Sequence, residues 1–233
     1  MLKDLKSLRD LRDLRGLKGL IKLGAHMLWP VSCPLCGAVG EIICEPCLRS
    51  LFFRPPLPRC LLCGEVIPCK IHRGEAKIRA GAPYQGDMRE LILALKKRKY
   101  QALGFHLGRG LASVFPRPDL DLLVPVPLHL KSSRPYNQAE AIARGLGTVW
   151  NIEVQSAARW AADVPTRAGM GAAARLSLSS EVFEFEDVDG LRIALVDDVC
   201  TTGSTLSRLA GAAQERGAEV ASAFVLAGSS FVR

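Results

Sequence analysis

From about residue 80 onward, apolar residues recur in two alternating rhythms along the chain. Residues 87–99 place Leu91, Ile92 and Leu95 on one helical face, with Lys96, Lys97, Arg98 and Lys99 at the end where cations complement the helix dipole. Residues 100–115 read as a second helix. Leu122-Leu123-Val124-Pro125-Val126-Pro127 reads as a short buried strand stopped by prolines. A helix is predicted over 137–150, a strand over 191–196, a helix over 204–216 ended by Gly217, and a last strand over 220–226. Strands alternating with helices predict an α/β domain over 80–233, built on a parallel sheet flanked by helices.

The first 26 residues follow another rule. Leu2, Leu5, Leu8, Leu11, Leu14, Leu17, Leu20 and Leu23 recur every third position. A helix advances roughly 100° per residue, so this repeat drifts about 60° per step and winds round the helix. No single apolar stripe results, which argues against a membrane-surface helix or a coiled coil. The segment holds seven basic and three acidic residues. It reads as a loosely helical, dispensable extension, with Met27 as an alternative start.

Residues 27–79 form a third region, defined by cysteine. Cys33-Pro34-Leu35-Cys36-Gly37 and Cys44-Glu45-Pro46-Cys47 are two knuckles; Cys60-Leu61-Leu62-Cys63-Gly64 is a third, and Cys69-Lys70-Ile71-His72 a fourth. The eight side chains suit two tetrahedral Zn²⁺ sites of closed, structural type. Pairing neighbours gives Cys33, Cys36, Cys44 and Cys47 on one ion and Cys60, Cys63, Cys69 and His72 on the other; an interleaved arrangement has the same spacing. So short a segment has little core of its own, so metal is expected to fold it. Arg49, Arg54, Arg59 and Lys70 are few cations for a groove-reading zinc ribbon.

The chain has 233 residues and a net charge of +8, a balance that suits anionic ligands. It has no apolar run long enough to span a membrane and no secretory-signal pattern, so a cytoplasmic location is expected.

The densest chemistry lies in Ile193-Ala194-Leu195-Val196-Asp197-Asp198-Val199-Cys200-Thr201-Thr202-Gly203-Ser204-Thr205. An apolar strand runs into two carboxylates and then into small and hydroxylated residues. A Gly/Ser/Thr turn opening a helix gathers N–H groups and hydroxyls around an anion. Carboxylates accept sugar hydroxyls instead. Ribose 5-phosphate satisfies both halves.

This stretch resembles the PRPP-binding motif of type I phosphoribosyltransferases. Leu123-Val124-Pro125-Val126-Pro127-Leu128-His129, Arg134-Pro135-Tyr136-Asn137-Gln138-Ala139 and Tyr84-Gln85-Gly86-Asp87-Met88-Arg89 resemble motifs of the ComF (GntX-like) family. That family joins a cysteine zinc module to a type I phosphoribosyltransferase domain, and the likeness covers roughly 28–230.

The resemblance implies that Asp197 and Asp198 hold the ribose hydroxyls and offset charge developing at C1. Val199, Cys200 and the loop of Thr201, Thr202, Gly203, Ser204 and Thr205 would complete the PRPP site, the loop cradling the 5′-phosphate. Pro125, Val126 and Pro127 fall where the pyrophosphate loop lies, with Lys96 within reach and Arg134, Asn137 and Gln138 in the neighbouring pocket. His129 reads as a surface histidine. PRPP or a phosphoribosyl nucleotide would bind with Mg²⁺; the resembled family is associated with natural competence, which implies single-stranded DNA or DNA-uptake proteins as partners. Where family members carry Gln-x-Gly-Leu, this chain has Arg167-Ala168-Gly169-Met170; the stretch 168–174, small apart from Met170, reads as a lid, with 168–176 the segment expected to close. Thr201 stands where purine salvage enzymes often have Asp. The acceptor base and the general acid or base are therefore left open, as is the oligomeric state.

Overall fold

A computed structural model of the chain describes residues 31–72, 76–97, 100–161 and 182–229. Its described residues divide into two compact units, with the boundary between Cys47 and Leu48. The boundary falls inside helix α1 (Glu45–Leu51).

The larger unit is built on a six-stranded sheet. Strands β1 (Arg59–Cys60), β2 (Lys77–Pro83), β3 (Leu122–Pro125), β4 (Glu153–Val154), β7 (Arg192–Cys200) and β8 (Glu219–Gly228) lie in the order β1-β2-β8-β7-β3-β4. Only β1 pairs antiparallel; every other neighbour is parallel. Ile193, Ala194, Leu195 and Val196 are fully buried, as are Ala223, Phe224, Val225 and Leu226 beside them. Both faces are covered, which is why these strands read as continuous apolar runs. Strands β5 (Ala158–Trp160) and β6 (Phe183–Phe185) form a separate antiparallel pair.

The expected helices appear as α2 (Gly86–Lys97), α3 (Gln101–Val114), α4 (Gln138–Trp150) and α5 (Ser204–Glu215). Two expected strands are too short. The strand over 191–196 continues through both acids to Cys200, because Asp197 pairs with Val225 and Val199 with Ala227. The last strand extends at both ends, to Glu219 and Gly228. The strand over 122–127 stops at Pro125, although Val126 N–H still donates to the Val196 carbonyl.

Helices α3 and α4 meet backbone to backbone. A Cβ on Gly145 would lie 2.1 Å from the Phe105 carbonyl oxygen, and one on Gly108 equally close to that of Ile142. Neither neighbour is a flexible side chain. Gly145→Ala is expected to cost about 3 kcal/mol, the upper range for overpacking. Urea denaturation checks it; a loss below about 1 kcal/mol would mean that the helices separate freely.

Candidate functional site

The carboxyl edge of the sheet brings the sequence motifs together. Pro125 pairs with Val196, so the Pro125-Val126-Pro127 turn lies beside the start of the acidic pair. This edge is where parallel α/β sheets take their ligands.

Successive strand residues face opposite sides. Asp197 continues the face of Ile193 and Leu195, which packs with Leu206 and Leu209 of α5. Asp198 faces the other way and is buried, at 7% exposure. Lys96 Nζ reaches Asp198 Oδ1 at 3.1 Å. Asp197 Oδ1 accepts the backbone N–H of Asp198 at 2.8 Å. Burial, followed by the Asp198 charge, pushes the Asp197 carboxyl up to about 7; the Asp198 N–H, Lys96 and Arg134 oppose that shift.

Lys96 is aimed by its surroundings. It sits in the last turn of α2, whose final carbonyls lack intrahelical partners. The Leu95 carbonyl receives Tyr136 Oη at 3.0 Å and Gln138 Nε2 at 3.3 Å. Arg134 Nη1 donates to Gln138 Oε1 at 3.2 Å. Gln138 is buried, and Asn137 caps α4 by accepting the Ala139 N–H while donating to the Val126 carbonyl. Asn137 and Gln138 thus brace the elements around the acids: one ties the proline turn to α4, the other ties α4 to α2. Tyr136 is a site residue that the sequence reading quoted but gave no role; burial and then the Asp198 charge push its phenol upward.

Beyond Cys200, which is buried at the strand end, the chain turns sharply. Gly203 has φ +82° and occupies the N-cap of α5 without a side-chain cap bond. That left-handed conformation suits glycine. Thr202 Oγ1 donates to Ser204 Oγ at 3.1 Å and accepts the Ser204 N–H at 3.4 Å. Thr201, Thr202, Ser204 and Thr205 are exposed. The N–H groups of Thr202 and Gly203 have no hydrogen-bond partner among the described residues. This is an anion-ready turn beside two carboxylates and a lysine.

His129 is exposed and packs edge-on against Trp160, with ring centroids 4.8 Å apart. Trp160 Nε1 donates to the Pro127 carbonyl at 3.1 Å, tying the β5–β6 pair to the proline turn. The expected lid over 168–176 lies outside the described residues.

The eight metal-ligand candidates gather as neighbours. Cys33, Cys36, Cys44 and Cys47 form one cluster, and Cys60, Cys63, Cys69 and His72 the other, with the ligand atoms of each within 4.8 Å of one another. Cys36 and Cys44 sulfurs are 3.5 Å apart, as are those of Cys63 and Cys69; Cys60 Sγ lies 3.7 Å from His72 Nδ1. A disulfide needs about 2.05 Å. Tetrahedral ligands about 2.3 Å from a Zn²⁺ ion stand roughly 3.8 Å apart, so the donor sets fit that ion. Both clusters use one turn: the Gly37 N–H donates to the Cys33 carbonyl and the Gly64 N–H to that of Cys60, with φ of +75° and +74°. The His72 backbone N–H, followed by that of Ile71, lowers the Cys69 thiol to about 6, whereas at Cys63 the Glu65 N–H is outweighed by burial and by the Cys69 and Cys60 sulfurs, which push the thiol up to about 11.

The chain is 27% identical over 186 residues to the DNA utilization protein YhgH of Salmonella typhi, covering 76% of this chain and 75% of that one. The protein of the same name from Salmonella typhimurium is 26% identical over the same length. No protein-family model matches. Among solved structures, an allosteric regulatory enzyme of purine biosynthesis aligns over 54% of this chain and 26% of its own, with 22% identity and a TM-score of 0.42. The Mycobacterium tuberculosis orotate phosphoribosyltransferase aligns over 69% of this chain and 86% of its own, with 16% identity and a TM-score of 0.30. Among the described residues, no helix is long and apolar enough to cross a membrane.

Proposed function

We propose that this chain is a ComF-type, phosphoribosyltransferase-like protein that binds PRPP or a phosphoribosyl nucleotide together with Mg²⁺. The observation that carries the reading is the placing of Asp197 and Asp198 at the carboxyl end of a central parallel strand, next to a turn whose Thr202 and Gly203 N–H groups have no partner among the described residues. Asp197 and Asp198 would hold the ribose hydroxyls, and residues 201–205 the 5′-phosphate. The proline turn with Lys96 would face the pyrophosphate, and the Lys96–Asp198 pair would open or be shared as ligand enters. Bound Mg²⁺ would neutralise charge on the pyrophosphate oxygens while keeping part of its water shell. Zn²⁺ in the two cysteine clusters would be structural.

The phosphate role can be separated from a helix-capping role. Thr205→Val is expected to weaken ribose 5-phosphate binding about tenfold, as one hydrogen bond to a charged group would. Stability of the unliganded chain should fall by less than the roughly 1 kcal/mol of a lost cap. Calorimetry and thermal melting on the same variant check it. Unaltered affinity would remove the phosphate assignment, since in the unliganded fold the N-cap is Gly203 and no side chain caps α5.

A second reading is a non-catalytic accessory protein of DNA uptake or processing, which would sense a nucleotide and use its zinc clusters for DNA or partner contact. The name of the Salmonella relatives favours it. Incubation with PRPP, Mg²⁺ and a panel of bases separates the two. Release of pyrophosphate supports the transferase; binding without consumption supports the accessory protein.

A further inference from the structure

The proposed phosphate loop is gripped from outside by the second cysteine cluster. Gly64 follows the ligand Cys63, and a Cβ there would stand 2.6 Å from the Thr202 carbonyl oxygen. The two backbones therefore touch with no room for a side chain, and the φ of +74° excludes one on a second ground. Arg59 precedes the ligand Cys60, and its Nη1 donates to the Thr201 carbonyl at 3.2 Å. Ser229 Oγ donates to the same oxygen at 3.1 Å. Between the two ligands, the Leu62 carbonyl accepts Ser207 Oγ of α5 at 3.0 Å. Three residues of the metal turn, Arg59, Leu62 and Gly64, thus bear on the loop and on the helix it opens.

The consequence follows from peptide geometry. In a trans peptide the C=O and the next N–H point in opposite directions. Holding the Thr201 and Thr202 carbonyls toward Arg59 and Gly64 turns the N–H groups of Thr202 and Gly203 the other way. Among the described residues neither of those N–H groups has a partner. We infer that the Cys60/Cys63/Cys69/His72 cluster, loaded with metal, is a working part of the phosphate site, with Arg59 and Gly64 as positioning residues that aim the Thr202 and Gly203 N–H groups at the ligand. The inference rests on the phosphoribosyl reading for the identity of that ligand. It ties affinity for a phosphorylated sugar to metal occupancy at a site that itself touches no substrate.

Two variants test it. Cys63→Ser removes a metal ligand; Arg59→Met leaves every ligand in place. In chains without added ligand, the amide NMR signals of Thr202 and Gly203 are expected to move in both variants. With ribose 5-phosphate and Mg²⁺, calorimetry should show affinity about tenfold weaker for Cys63→Ser and about threefold weaker for Arg59→Met, which keeps its full metal content. Unmoved amide signals, or wild-type affinity in both variants, would overturn the inference and leave the phosphoribosyl reading standing. A wild-type chain that fails to bind ribose 5-phosphate overturns that reading instead, and the amide signals still decide whether the cluster sets the loop. If Cys63→Ser does not fold, Arg59→Met carries both measurements.

Discussion

Replacing Asp197 and Asp198 together by Asn is expected to lower ribose 5-phosphate affinity at least a hundredfold. Each charge-assisted bond to a sugar hydroxyl contributes about 1.5–3 kcal/mol, and two are lost. Stability should move the other way for the single change Asp197→Asn. The carboxyl of Asp197 ionises near 7 in the fold and near 3.8 in the unfolded chain, because burial and the Asp198 charge disfavour its ionised form. The native state therefore holds the extra proton between those values, and stability falls as pH rises from about 4 to about 7. Asn carries no such proton. Asp197→Asn should gain more over wild type at pH 8 than at pH 5, in chemical denaturation at both values. Asp198→Asn has a different expected cost, since it leaves Lys96 without its partner. Unchanged affinity of the double variant in calorimetry would refute the ribose assignment. Equal gains at both pH values would refute the burial of the Asp197 charge.

Metal is expected at two ions per chain, and its removal should unfold the cysteine region. Structural Zn²⁺ binding is worth roughly 10–16 kcal/mol in small zinc domains near neutral pH. A strong chelator under reducing conditions should make this stretch rapidly cleavable by protease, while fragments from the sheet persist longer. Elemental analysis finding one ion would overturn the two-site assignment. Cys200 should contribute nothing to the count, since it lies buried at the end of β7 and belongs to neither cluster.

The long apolar runs of β3, β7 and β8 were legible because strands covered on both faces carry no polar alternation to blur them. Strand β2 was not. Its sequence Lys77-Ile78-Arg79-Ala80-Gly81-Ala82-Pro83 has small residues and a proline, and its extended form comes from pairing with β8. Strands β1, β4, β5 and β6 have two or three residues each, too short for any periodicity. At the site, the acids and the glycine turn could be read because they are contiguous. The Lys96–Asp198 pair could not, since it joins residues about a hundred positions apart. Asn137 and Gln138 were singled out by the ComF-like motif alone, and a polar side chain that lines a pocket and one that braces backbone look alike in sequence. Arg59 was visible only as one cation among four, because nothing local marks a contact with Thr201.

The position of β8 sets an order of assembly during synthesis. It lies between β2 and β7 and pairs with both. Ile78 therefore finds its partner Ala223 roughly 145 positions later, and β2 has no parallel neighbour until β8 has been made. Loop closure over such a distance is slow and leaves strand edges open meanwhile. The second cysteine cluster is complete by His72 and closes within a dozen or so residues. With metal bound there, a nascent chain would hold the turn around Gly64 in place before the residue 201–203 loop that settles on it is made.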